Sequence, residues 1–67
     1  MDFGKTLRKL QEQRGVKATD LAKRLGVSKQ MVSYTASRSD VKISTLLEYC
    51  DALGVSYVTF MREGMRE

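Results

Sequence analysis

Histidine is absent from this sequence, and cysteine occurs once, as Cys50. A single cysteine cannot close an internal disulfide, and one cysteine without histidine supplies too few ligands for a structural zinc site, so no metal and no cofactor is expected. Also missing are a glycine-rich phosphate loop and a cluster of carboxylates, and with no histidine to act as a base the usual catalytic groups have no assembled site. An enzyme is therefore the least favoured class. No apolar run approaches the roughly 18 residues that a membrane-spanning helix needs, and no signal-peptide pattern opens the sequence. No membrane partner and a cytoplasmic location are the expectations. Sixty-seven residues make one small domain, which buries only roughly 60% of the surface that its unfolded chain exposes. No separate ligand-sensing domain and no small-molecule ligand are expected.

What is present is an uneven charge. The formal net charge is +4, but residues 1–38 hold nine Lys or Arg against Asp2, Glu12 and Asp20, while residues 39–67 hold three basic and five acidic residues. A basic excess gathered in one half of a chain is what attraction to phosphate requires, although a solvated surface is also charged.

That basic half contains the stretch ATDLAKRLGVSKQMVSYTAS, residues 18–37. Leu21, Ala22 and Leu25 share one face of a helical period, and Gly26 follows where a left-handed residue would end the helix. Ser28 is a good N-cap for a second helix, and Val27 with Val32 has the spacing of a hydrophobic staple. Two short helices joined by so tight a turn must cross steeply, which is the geometry of a helix-turn-helix. With Val32 and Thr35 or Ala36 turned inward, the period sends Lys29, Gln30, Ser33, Tyr34 and Ser37 outward. No carboxylate lies between Ser28 and Arg38. Such a face suits a DNA major groove, where Lys and Gln bond base edges and hydroxyl or backbone N–H groups meet phosphate.

The segments LAKRLGVSKQMVS and LLEYCDALGVS, in this order and spacing, resemble the phage repressor and Cro type of helix-turn-helix domain. The resemblance runs from about Leu7 to Met61. It implies an all-α, five-helix lambda-repressor-like fold, with a DNA-binding domain over residues 1–61 and a short charged tail over 62–67. It further implies a transcriptional repressor of phage or mobile-element origin, acting in a bacterial cell as a homodimer on a roughly palindromic double-stranded DNA operator. On the residues of this chain, Lys29, Gln30, Ser33 and Tyr34 are the expected base contacts. Lys17, Ser28, Ser37, Arg38 and Lys42 are the expected phosphate contacts. Met31 is placed either against a thymine methyl or as partial core filler. Relatives often dimerise through the last helix, which offers Tyr57, Phe60 and Met61 as an interface; the alternative is that these three close the core.

Three positions depart from the family. Lys17 stands where Ser or Thr usually caps the second helix, and lysine cannot accept that bond; Thr19 and Asp20 are placed to compensate. Arg38 stands where glycine is usual, so the third helix either ends differently or extends. Gln11 and Ala36 replace an arginine and a glutamate that can form a buried ion pair. Losing both partners together is compatible with the fold, whereas losing one would strand a charge. The altered loop leaves room for a second function class, a protein-interaction module such as an antirepressor or toxin-neutralising partner.

Elsewhere the periodicity predicts a first helix over residues 3–14, with Phe3, Leu7 and Leu10 as its stripe and Gly15 as its stop. A fourth helix is expected from Ser44 or Thr45 to Leu53, with Thr45 and Glu48 as a capping box and Leu46, Leu47, Cys50 and Leu53 facing inward. Gly54, Val55 and Ser56 repeat the stop, staple and cap, and a fifth helix is expected from Tyr57 to about Arg62, with the following residues frayed.

Overall fold

In the computed structural model, which describes residues 1–66, five helices follow one another: α1 (Phe3–Arg14), α2 (Ala18–Leu25), α3 (Lys29–Ala36), α4 (Ile43–Leu53) and α5 (Tyr57–Met65). No strand occurs among the described residues. Glu67, the end of the expected tail, lies outside them. α1 packs on α3, α4 and α5, and α2 packs on α3 and α4.

Local signals account for most of the boundaries. α1, α2 and α4 each end in a left-handed glycine, Gly15, Gly26 and Gly54, with φ of 64°, 70° and 78°, a conformation that a Cβ would penalise. Asp2, Ser28 and Ser56 cap α1, α3 and α5 by accepting from the backbone N–H groups of Lys5, Met31 and Thr59, each at 3.1 Å. Each such cap contributes about 1 kcal/mol. α2 lacks a side-chain cap at Lys17; instead Asp20 reaches back, its Oδ2 accepting from the Lys17 N–H at 2.9 Å.

The core is centred on Phe3. Its ring stacks on Phe60 with centroids 5.5 Å apart and meets Tyr49 edge-on at 5.7 Å, joining α1 to α5 and α4. Leu7, Leu10, Leu21, Val32, Leu46 and Leu53 complete it. Cys50 belongs to this core, and burial pushes its thiol pKa up, so it stays a protonated apolar filler. No buried side-chain nitrogen or oxygen among the described residues lacks a partner. At the positions of the missing ion pair, the Gln11 amide donates to the Val16 carbonyl at 3.2 Å, and the Ala36 carbonyl accepts from Arg8 Nη2 at 3.3 Å.

Four expectations need correction. α4 starts at Ile43, earlier than Ser44 or Thr45: Lys42 is the extended N-cap residue, and its carbonyl accepts the Leu46 N–H at 3.0 Å. Thr45 therefore lies inside the helix and caps nothing. Leu47 is exposed and Tyr49 takes its place in the core, because the phase set by Leu46, Cys50 and Leu53 turns position 47 outward. Val27, expected to staple onto Val32, stays 41% exposed. It lines a shallow groove with Leu25, Met31, Thr35, Thr45 and Tyr49. α5 continues beyond Arg62 to Met65. Gly64 is buried against Met1 and Thr6, and Glu63 accepts from Gln13 Nε2 at 2.8 Å, so α1 holds the residues that composition marked as a frayed tail.

The third helix ends without glycine. Ser37 stays right-handed, with φ −83° and ψ −11°, and its N–H is shared between the Ser33 and Tyr34 carbonyls at 3.1 Å each. The Arg38 N–H then donates to Thr35 at 3.1 Å. This tightened last turn avoids the positive φ that arginine would resist.

Candidate nucleic-acid interface

α3 is held as a projecting cylinder. The Gly26 turn reverses the chain, with the Val27 N–H donating to the Ala22 carbonyl at 3.0 Å, and Ser28 starts the next helix two residues later. Val32 and Thr35 anchor it inward. Thr35 is buried, but its hydroxyl donates to the Met31 carbonyl at 2.9 Å, so no polar group is stranded. The other side of the cylinder is open: Lys29, Gln30, Ser33, Tyr34 and Ser37 are all exposed, Tyr34 at 59%. Lys29, Gln30, Ser33 and Tyr34 thus lie on one solvent-facing side, with no carboxylate on the helix.

The expected phosphate-contacting residues sit at helix ends. Lys17 is the N-cap residue of α2, Ser28 of α3 and Lys42 of α4. The first N–H groups of a helix carry partial positive charge and seek acceptors. At α4 no side chain caps them, at α2 the one side-chain contact is Asp20 accepting from the Lys17 N–H, and the residue at each position is a lysine. Ser28 uses a lone pair to accept from Met31, which leaves its own proton to donate. Ser37 differs. Its hydroxyl donates to the Tyr34 carbonyl at 2.6 Å, so its proton is already engaged within the helix.

Arg38 is not an isolated surface charge. Its Nη1 donates to the Tyr34 hydroxyl at 2.9 Å and its Nε to the Asp40 carbonyl at 3.3 Å. The i, i+4 spacing of Tyr34 and Arg38 is the signal that could have found this pair. Met31 is half-exposed and borders the groove shared with Tyr49, between its two expected roles.

A separate face of α5 is apolar. Tyr57, Val58 and Met65 are exposed, Val58 at 58% and Met65 at 79%, and with Met61 they line a shallow concavity rimmed by Arg62 and Arg66. Phe60 is no part of it: with 0% exposure and its ring against Phe3, it closes the core, the alternative role for that residue. Val58 and Met65 are not among the residues expected at an interface, although positions 57, 58, 61 and 65 share one helical stripe.

No helix among the described residues is long and apolar enough to cross a membrane, and no group of three or more His, Cys, Asp or Glu among them could hold a metal ion. A protein family described as a helix-turn-helix domain matches residues 2–59. Compared with individual curated proteins, the chain matches none.

Proposed function

This chain belongs to the helix-turn-helix domain family, and from that footing we propose that it is a sequence-specific binder of double-stranded DNA, a transcriptional repressor of phage or mobile-element type that acts as a homodimer. The observation that carries this is the outward side of α3, where Lys29, Gln30, Ser33 and Tyr34 stand in solvent on a rigidly capped helix free of carboxylates. Such groups can bond base edges: lysine to guanine acceptors, glutamine bidentately to adenine, and hydroxyls to either. Lys17, Ser28, Arg38 and Lys42 would position the DNA backbone, lysine and helix N-terminus acting together at α2 and α4.

Reach supports a dimer. The body measures 29 × 21 × 18 Å, while recognition helices that read successive major grooves lie about 34–36 Å apart. One copy can read one half-site, so a palindromic operator needs two. The exposed Tyr57, Val58 and Met65 with half-buried Met61 supply the apolar area for that contact. Repression would follow from occupying promoter DNA and excluding polymerase.

Selection of bound sequences from a random DNA pool, with binding then measured at low and moderate salt, tests the proposal. A two-fold symmetric site whose affinity falls steeply with salt is expected. Failure to bind any DNA at either salt overturns it and favours a protein-interaction module that keeps the fold.

A further inference from the structure

The backbone of Arg38 is fixed from both sides. Its N–H donates to the Thr35 carbonyl at 3.1 Å, and its own carbonyl accepts from the Gly4 N–H at 2.9 Å, where α1 begins. The side chain therefore springs from an anchored point, and three contacts direct it. Nη1 reaches the Tyr34 hydroxyl at 2.9 Å, Nε reaches the Asp40 carbonyl at 3.3 Å, and the guanidinium carbon lies 5.8 Å from the centre of the Tyr34 ring. Any one exposed hydrogen bond is weak, because water competes for it. A fork with two acceptors, on a backbone that cannot swing, restrains the ring more than one flexible contact would.

The direction of the bond has a chemical consequence. A phenol oxygen has one O–H to donate and accepts through its lone pairs. With the oxygen already accepting from a cationic N–H, a second incoming donor is disfavoured and the O–H is the function free to seek a partner. In the major groove the acceptors are purine N7, guanine O6 and thymine O4, whereas the cytosine 4-amino group is a donor. Tyrosine in general can take either partner. Tyrosine held in this way favours an acceptor.

We propose that Arg38 is a positioning residue that determines specificity: it presents Tyr34 as a hydrogen-bond donor, so that Tyr34 selects a base offering an acceptor and rejects cytosine at that step. The inference rests on the DNA-binding reading above. The protons on Nη2 are not used by these bonds and remain available to a phosphate, so the charge of Arg38 and its orienting role are separable. Lysine at position 38 would keep the first and lose the second, since one ammonium cannot reproduce the fork.

The test uses the full chain and the duplex selected from the random pool, together with single-base-pair variants of it and mixed-sequence DNA. Affinities of wild type, R38K, Y34F and the double variant are measured at several salt concentrations. Wild type is expected to disfavour cytosine at one position, and Y34F to lose about fivefold or more of that discrimination. R38K should lose discrimination at the same position by a larger factor than any affinity it loses on mixed-sequence DNA, where the charge persists. The double variant should lose no more discrimination than Y34F alone. R38K that keeps the preference Y34F loses overturns the inference while leaving DNA binding intact. Wild type that binds DNA with no preference against cytosine at any position overturns it as well. Absence of all wild-type binding overturns both the inference and the reading beneath it.

Discussion

Gly4 is the second residue of α1, and its replacement by alanine puts the packing of the fold to a direct test. A Cβ there would overlap the Ala36 carbonyl oxygen and stand 3.0 Å from both the Ala36 carbonyl carbon and the Arg38 oxygen. All three are backbone atoms, so no side-chain rotation relieves them. Relief requires α1 to withdraw from the end of α3, which weakens the Phe3 N–H to Ser39 bond at 3.0 Å and the Gly4 N–H to Arg38 bond at 2.9 Å. Overpacking of this kind costs about 1–3 kcal/mol, and each impaired hydrogen bond adds about 1 kcal/mol. Alanine regains at most about 1 kcal/mol of helix propensity. The net loss is about 2–4 kcal/mol, and in a domain of this size each kcal/mol moves the melting temperature by about 4–8 °C. Thermal unfolding followed by far-ultraviolet circular dichroism should place G4A at least about 8 °C below wild type. G64A is the internal control. Its Cβ would overlap Cγ and Sδ of Met1, a flexible side chain that is 55% exposed and can swing away, with Thr6 Oγ1 at 3.1 Å. The helix-propensity gain offsets the contact, so G64A should stay within about 1 kcal/mol of wild type. G4A melting at or above the wild-type temperature, or G64A falling as far as G4A, would refute the close approach of α1 to the end of α3.

Further outcomes follow from the same contacts. Gln30→Ala should weaken operator binding by roughly 1–3 kcal/mol and spare mixed-sequence affinity, whereas Lys42→Ala should weaken every sequence and reduce the salt slope by about one; equal loss on operator and random DNA in Q30A would remove Gln30 from the base-reading set. Lys17→Ser supplies the acceptor that α2 lacks and should raise stability by about 1 kcal/mol while lowering DNA affinity, and an unchanged melting temperature would show that Asp20 already caps that helix fully. Glu63 has its pKa held below the usual carboxylate range, chiefly by the hydrogen bond from Gln13 and also by the nearby Arg66. Its contribution to stability is thus present above the ordinary glutamate pKa and is lost as pH falls through the lower folded value. Melting measured against pH should decline more steeply on acidification for wild type than for E63Q, and parallel curves would show that the α1–α5 link carries no stability.

Much of this protein was legible from spacing alone, because the signals are local. Gly26 with Ser28, and Gly54 with Ser56, announce a helix stop and the next start within three residues, and the same hydrogen bonds form in the fold. The 3.6-residue period sorted α3 correctly, with Val32 and Thr35 inside and Lys29, Gln30, Ser33 and Tyr34 outside. The stripe of α1 was equally plain. Where a boundary depended on what packs against it, local pattern fell short. α4 begins at Ile43 rather than at the Thr45–Glu48 pair, and α5 runs to Met65 because α1 lies alongside it.

What only the tertiary structure decided are the partners that lie far apart along the chain. Arg8 meets the Ala36 carbonyl and Arg24 the Ala52 carbonyl, each 28 residues away, and Gln13 meets Glu63 across 50. Tertiary packing also assigned Phe60 to the core and Val58 and Met65 to the surface, a choice that a helix apolar on more than one side leaves open. The same holds for Arg38, whose sequence identity supplies a charge but whose orientation comes from α1 gripping its carbonyl and Tyr34 receiving its guanidinium. Helical period and capping act over a turn or two of backbone and can be read residue by residue. The closing of one helix on another depends on the shapes of all of them together.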